Sequence, residues 1–409
     1  MTSGAASGTT GGADLDRLLS PALRAIFDDR FVRSCGLFEE YIRRLAIRLV
    51  RDAGLEQAAR EPGTADELAA RAGLDPSRSK VPVAWLLSTL AASGVLTRAE
   101  GDDASAVEAT DHAGGGDRFV LAAPLPEPDA AVIAHEQEAH DPACLASYRL
   151  ADRVAALSPD VLRGRVNGEE ALFAPDQFSA WIDYFSNDNP LYAVSNRIGA
   201  LAAERSLSRA GGGTVLEIGG GLGSATAALF DRLAATGRAA SIAAYRFTEA
   251  APSFLRRGQR GLAARLPGAP ITAARLDMDR PFAEAGIEPG SVTLVYGVNT
   301  LHVARDLELT FAEIRRALAP GGTLVLSECV RPFADRPIYV EFLFNLLESF
   351  RSPRLVDPWR PHGGFLSPEQ WAAGLVACGF RDVAVEPDIA RLRDRVPACV
   401  IASISAVRG

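Results

Sequence analysis

Three glycines at alternate positions, Gly219, Gly221 and Gly223, follow the apolar residues Val215, Leu216 and Ile218 in the stretch TVLEIGGGLGSAT. An acid, Glu217, interrupts the apolar run, and an Ala-rich segment begins at Ser224. The apolar residues read as a short buried strand, the glycines as a turn where the backbone approaches a ligand without a Cβ in the way, and the Ala-rich segment as a helix N-terminus. Dinucleotide sites use the spacing G-x-G-x-x-G/A, which here leaves Ser224 at the third small position and fits only loosely; G-x-G-x-G describes the stretch better. On the turn alone, a dinucleotide and another nucleoside-bearing cofactor both stay open. A second chemistry is acid–base. His302 and Glu328 lie at the ends of two later strand-like runs, and an imidazole, ordinarily titrating near about 6.5, can serve as a base around neutrality. A carboxylate on its other ring nitrogen would favour the imidazolium that forms. Taken without context, a single histidine after a strand is as readily a structural hydrogen-bonder.

The elements that must position these groups alternate. Residues 242–248 (IAAYRFT) predict a second strand ending in Glu249, and 252–266 a helix. A third strand over 271–276 ends in Asp277 and Met278, and 292–296 is a fourth. A helix over 301–318 closes at Pro320-Gly321-Gly322 and leads to a fifth strand, 323–327. This alternation predicts a doubly wound, Rossmann-like parallel α/β sheet, whose ligands gather outside the carboxyl ends of the strands. The acids fall at those ends. Glu249 is placed to accept from two ribose hydroxyls and Asp277 from an adenine amino group.

The glycine spacing with its preceding acid resembles motif I of class I S-adenosylmethionine (SAM) methyltransferases, and the two acids in register behind it favour SAM as the cofactor. From about residue 162 onward the chain resembles a narrower family, the C-methyltransferase domains of polyketide synthases. The resemblance is carried by LRG, ALF and NPLY, by YRFTEAAPSFL, LDMDRPF and FLFNLLESF, and most specifically by VNTLHVARDLELTFAEIRRALAPGGTLVLSE. It implies cofactor contacts from Tyr192, Glu217, Gly219, Gly221, Gly223, Glu249, Asp277, Met278 and Asn299, and a catalytic dyad of His302 as base with Glu328. The expected reaction is C-methylation alpha to a carbonyl in a small-molecule or carrier-tethered acyl substrate of secondary metabolism. O-methylation of a natural-product hydroxyl, and SAM binding without methyl transfer, are the alternatives. The family has LHAT where this chain has Leu301-His302-Val303-Ala304, a departure that bears on substrate size and delivery more than on the chemistry.

Substrate contacts are expected from Trp181 and Tyr184, in an aromatic-rich segment read as a lid, and from Trp359, Arg360 and His362, in a Pro/Gly-rich loop after a helix predicted over 337–350. His135 and His140 lie five residues apart in a predicted helix over 131–157; that spacing does not put two imidazoles on one face, and no metal site is expected.

Ahead of the resemblance, residues 14–123 read as a winged helix. Helical patterns are followed by two strand-like runs around an acidic tip that holds Asp102, Asp103, Glu108, Asp111 and Asp117. The third helix offers only Arg78 and Lys80 at its start, and the acidic tip would repel phosphate, so its apolar face predicts burial against a partner subunit in a homodimer rather than DNA binding. With 51 acidic against 43 basic residues the chain has a net charge of −8, which excludes general attraction to nucleic acid or anionic membranes. Five scattered cysteines, the lack of a signal-like N-terminus and the lack of a long apolar run predict a cytoplasmic protein. The expected organisation is a disordered leader over 1–13, the winged helix over 14–123, a helical linker and lid over 124–205, and the methyltransferase domain over 206–409.

Overall fold

The structure, a computed structural model, describes residues 12–99 and 117–409. Most of the expected leader and four of the five acids at the hairpin tip lie outside the described residues.

In the N-terminal part, helix Asp29–Asp52 is capped by Asp28, whose carboxylate accepts from Phe31 N at 2.7 Å. Strand β1 (Gly63–Thr64) leads into helix Ala65–Arg71 through the expected capping box, with Thr64 Oγ1 accepting from Glu67 N and Glu67 Oε2 accepting from Thr64 N at 2.9 Å. Helix Pro76–Ala92 begins at an Asp75 cap, and β2 (Thr97–Ala99) and β3 (Arg118–Val120) complete an antiparallel sheet of order β1-β3-β2. Helix, strand, helix, helix and two strands in this order make a winged helix. Burial of the third helix departs from expectation, because its own chain covers it. Trp85 Nε1 donates to Ile338 O at 3.1 Å, the Trp85 ring lies 5.6 Å from Phe342, and Val83, Leu86, Leu87 and Leu90 are buried in the same core.

The catalytic part is one seven-stranded sheet of β4 (Gly213–Ile218), β5 (Ile242–Glu249), β6 (Ile271–Arg275), β7 (Val292–Val298), β8 (Leu318–Cys329), β9 (Phe380–Glu386) and β10 (Ile401–Arg408). Its order is β6-β5-β4-β7-β8-β10-β9. Strands β4 to β8 pair in parallel, whereas β10 runs antiparallel between β8 and β9, so the fully parallel sheet of the sequence reading holds for its first five strands only. The strand order reverses at β4, which places the switch-point crevice at the carboxyl ends of β4 and β7.

Three local readings are corrected. The helix predicted over 301–318 splits into a short 3-10 turn, Leu301–Val303, and helix Leu307–Ala317, because Asp306 caps a new start by accepting from Leu309 N at 3.1 Å. The helix expected over 337–350 consists of a 3-10 turn, Tyr339–Leu343, and one helical turn, Glu348–Arg351. Helix Ala130–His140 ends before Pro142 and a second helix, Leu145–Leu162, follows.

Candidate active site

The glycine turn leaves β4 with Gly219 at φ 65° and Gly221 at φ 55°. At Gly219 a Cβ would collide with Thr300 as well as strain the backbone, whereas a Cβ at Gly221 would meet no protein atom within 4 Å and would project into open space. That open cradle is where a ligand can approach the main chain. Glu249, at the end of β5, fixes the turn by accepting from Gly221 N at 3.0 Å and from Ala251 N at 2.8 Å. Glu217 lies behind the turn. Its carboxylate accepts from the hydroxyls of Thr226 and Tyr245, it is 1% exposed, and burial pushes its pKa up to about 7. It does not line the cavity, so the expectation of a direct cofactor contact is corrected to support of the turn from below.

A cavity of about 690 Å³ opens from this turn and runs past Asn299 to His302. Asn299 has φ 48° and accepts from Cys329 N at 3.0 Å through Oδ1, and among the described residues nothing bonds its amide nitrogen, which a ligand could take. Tyr192 and Tyr184 line the cavity with rings 5.4 Å apart, and burial raises both phenols well above their ordinary range, so they stay protonated donors. Trp181 also lines the cavity, with Nε1 tied to Leu172 O at 2.8 Å. Gly223 serves as the left-handed N-cap of helix Ser224–Ala235 and lies outside the lining. Asp277 and Met278 also lie outside it. Asp277 borders a separate shallow depression, and Met278 packs on the core and accepts from Thr310 Oγ1 at 3.0 Å.

At the other end, His302 Nδ1 lies 2.7 Å from Glu328 Oε2, while Glu328 Oε1 accepts from Thr300 N at 3.1 Å and Leu301 N at 2.8 Å. Both side chains are buried, at 4% and 0% exposure, and the Phe365 ring lies 4.4 Å from the imidazole, tilted by 47°. A carboxylate can only accept, so Nδ1 carries the proton and the lone pair sits on Nε2. Among the described residues nothing hydrogen-bonds Nε2, and the ring borders the cavity. The loop continues under restraint, with Asp279 accepting from Arg305 N at 3.0 Å and Asp306 N at 2.9 Å.

The three loop candidates are not in the cavity. Trp359 is buried in the core against Phe311 and Gly374. Arg360 is fully buried and donates to His302 O at 2.9 Å. His362 sits 3.1 Å from an Arg331 nitrogen, and burial, with that guanidinium, pushes its pKa down to about 4. Phe185, in the segment read as a lid, lines the cavity, and the sequence reading overlooked the rest of the wall formed by Phe173, Phe178, Phe254, Phe344 and Phe365. The clustering of Phe173, Phe178, Phe254 and Phe344 in ALF, the Trp181 segment, YRFTEAAPSFL and FLFNLLESF was the available signal; Phe365 had none. His135 is exposed, and His140 Nε2 lies 3.0 Å from Arg30 O.

A family model described as a methyltransferase domain matches residues 216–324, the span holding the glycine turn, Glu249 and His302. Residues 216–324 are a methyltransferase domain. Curated relatives of the chain include the non-reducing polyketide synthase dpmpA of Macrophomina phaseolina, 30% identical over 62% of the chain and 11% of the relative. Highly reducing polyketide synthase 2 of Gibberella zeae is 30% identical over 58% of the chain and 9% of the relative. The chain therefore spans about a tenth of the length of the curated relatives it matches. The solved CurJ carbon methyltransferase superposes with a TM-score of 0.75 at 21% identity, covering 97% of this chain and 99% of that one. The chain thus has the fold of that structure through its winged helix too, which the motifs alone had left outside the likeness.

Proposed function

We propose that the enzyme C-methylates an activated carbon alpha to a carbonyl, in a small or carrier-tethered acyl substrate of secondary metabolism. SAM, when bound, supplies an electrophilic methyl group on a sulfonium. The glycine turn, Glu249, Asn299 and Tyr192 would hold it, as the open cradle at Gly221 and the amide nitrogen of Asn299 suit a ligand entering from the cavity. His302 Nε2 removes the proton from carbon, leaving an enolate as the nucleophile, and Glu328 stabilises the resulting imidazolium while keeping the ring oriented. Phe350 and Phe365 pack against the imidazole and give the base an apolar wall on that side. The observation that carries the reading is the 2.7 Å contact between His302 Nδ1 and Glu328, which leaves Nε2 to the cavity. Carbon methyltransferase structures among those most alike in fold support carbon over oxygen as acceptor.

The test uses methyl-¹³C SAM and the N-acetylcysteamine thioester of 3-oxobutanoate as acceptor. A ¹³C-methyl on carbon is expected; a methoxy signal would move the acceptor to oxygen. His302→Ala should lower turnover by roughly 10²- to 10⁴-fold with SAM affinity retained. Turnover within a few-fold of wild type would end the base assignment.

A further inference from the structure

Arg360 presents a cost that packing does not explain. It is 0% exposed, its Nη2 donates to the main-chain carbonyl of His302 at 2.9 Å, and its Nε and Nη1 are buried without a partner. No carboxylate bonds it among the described residues, although the charges of Asp279 and Asp306 act on it from a distance. Burying a cation with two unmet donors is unfavourable, and an aliphatic side chain of similar volume would fill the space more cheaply. The one bond it does make is therefore the feature to account for.

That bond falls on the turn that carries the base. Leu301–Val303 is three residues long and too short to be stable by itself. From its amino side it is held by Glu328, which accepts from Thr300 N, Leu301 N and the imidazole. From its carboxyl side, the carbonyl of His302 is held by Arg360. Arg360 is itself fixed, since its backbone N–H and C=O both pair with Val356, at 2.6 and 2.9 Å. We propose that Arg360 is a positioning residue for the base: it and Glu328 clamp the turn from opposite ends and hold His302 Nε2 towards the cavity. The proposal rests on the reading of His302 as the base. Arg360 touches neither the reacting atoms nor the cavity, so it acts only through His302.

The test reads the clamp directly, without an acceptor substrate. The Nδ1–H proton of His302, bonded to Glu328, is followed by low-field proton NMR in the full-length protein, assigned by its loss in His302→Gln. The Trp181 indole N–H, bonded to Leu172 O, serves as a buried control in another element. In Arg360→Met, loss of a charged hydrogen bond to the turn should speed exchange of the His302 proton by roughly ten- to a hundredfold, with the Trp181 proton and SAM affinity unchanged. Arg360→Lys, which keeps the charge and a donor, should lie between wild type and Arg360→Met. Wild-type exchange in Arg360→Met would overturn the proposal. So would equal acceleration of the Trp181 proton in both variants, because that pattern marks general loosening. Retained turnover in His302→Ala is a separate result: it would remove the base assignment, whereas the exchange data would still report whether Arg360 holds the turn.

Discussion

Glu328 is buried and accepts three hydrogen bonds, and in the proposed mechanism its value lies in being an acceptor only. Replacing it by glutamine keeps the shape but places an N–H₂ where a lone pair stood. Either the amide carbonyl abandons the two backbone donors, or the imidazole flips its tautomer and carries its proton on Nε2, where the base must be empty. Glu328→Gln is therefore expected to lower turnover by on the order of 10⁴-fold, the scale of losing tautomer control in a serine-protease triad, with SAM affinity held in calorimetry. Glu217 illustrates the opposite use of an acid. Its pKa, raised to about 7 by burial, means the folded state holds a proton that the unfolded chain releases near its ordinary value of 4.5. The sign follows: stability from this group is full below about 4.5 and is lost as pH rises through about 7. Glu217→Gln, which mimics the protonated acid, should raise the melting temperature at pH 8 and leave it near wild type at pH 4, with an upper bound of about 3 kcal/mol at pH 8.

Among the elements, the glycine turn separates ligand binding from folding. Gly221→Ala adds a methyl that no protein atom opposes, so its stability cost should be limited to the left-handed backbone, about 1–2 kcal/mol, while SAM affinity falls by at least about tenfold as the cradle fills. Thermal melts and calorimetry on one variant distinguish the two effects. This turn and the strands on either side were legible in the sequence because local signals set them: apolar runs, glycine spacing and acids at strand ends. The pair was legible for the same reason, as His302 follows β7 by a few residues and Glu328 lies at the end of the neighbouring β8. The loop residues Trp359, Arg360 and His362 were not, because nothing local says whether a Pro/Gly-rich loop faces a cavity or turns beneath it. Glu217 was misplaced for a related cause. In β4 alternate side chains point to opposite faces, and sequence alone did not show that its face was already occupied by Thr226 and Tyr245.

Across the whole molecule, the N-terminal helices share a core with the segment after β8 and the start of β10, while the two faces of the sheet pack in clusters of their own. One continuous core runs from Phe38, Trp85 and Leu87 in the N-terminal helices to Tyr339, Phe342 and Phe350 beside the dyad and on to Val400 and Ile401. The expected division at residue 124 thus crosses shared apolar packing. Calorimetric unfolding should show one transition, and Trp85→Ala, which opens a buried cavity at the contact with Phe342, should cost about 3–5 kcal/mol over that whole transition. Two separate transitions, with only the first shifted, would show that the parts unfold independently. The place of β10 has a consequence for how the enzyme comes into being. Ala402 of this strand lies directly opposite Glu328, and Ile401 opposite Cys329, so the flank of β8 that carries the dyad's acid is covered by chain made after every other part of the site. On the ribosome, the glycine turn, the base loop and Arg360 have all emerged before the strand that shields Glu328 exists. The shielding of Glu328 therefore comes last, with the pairing of β10 on β8.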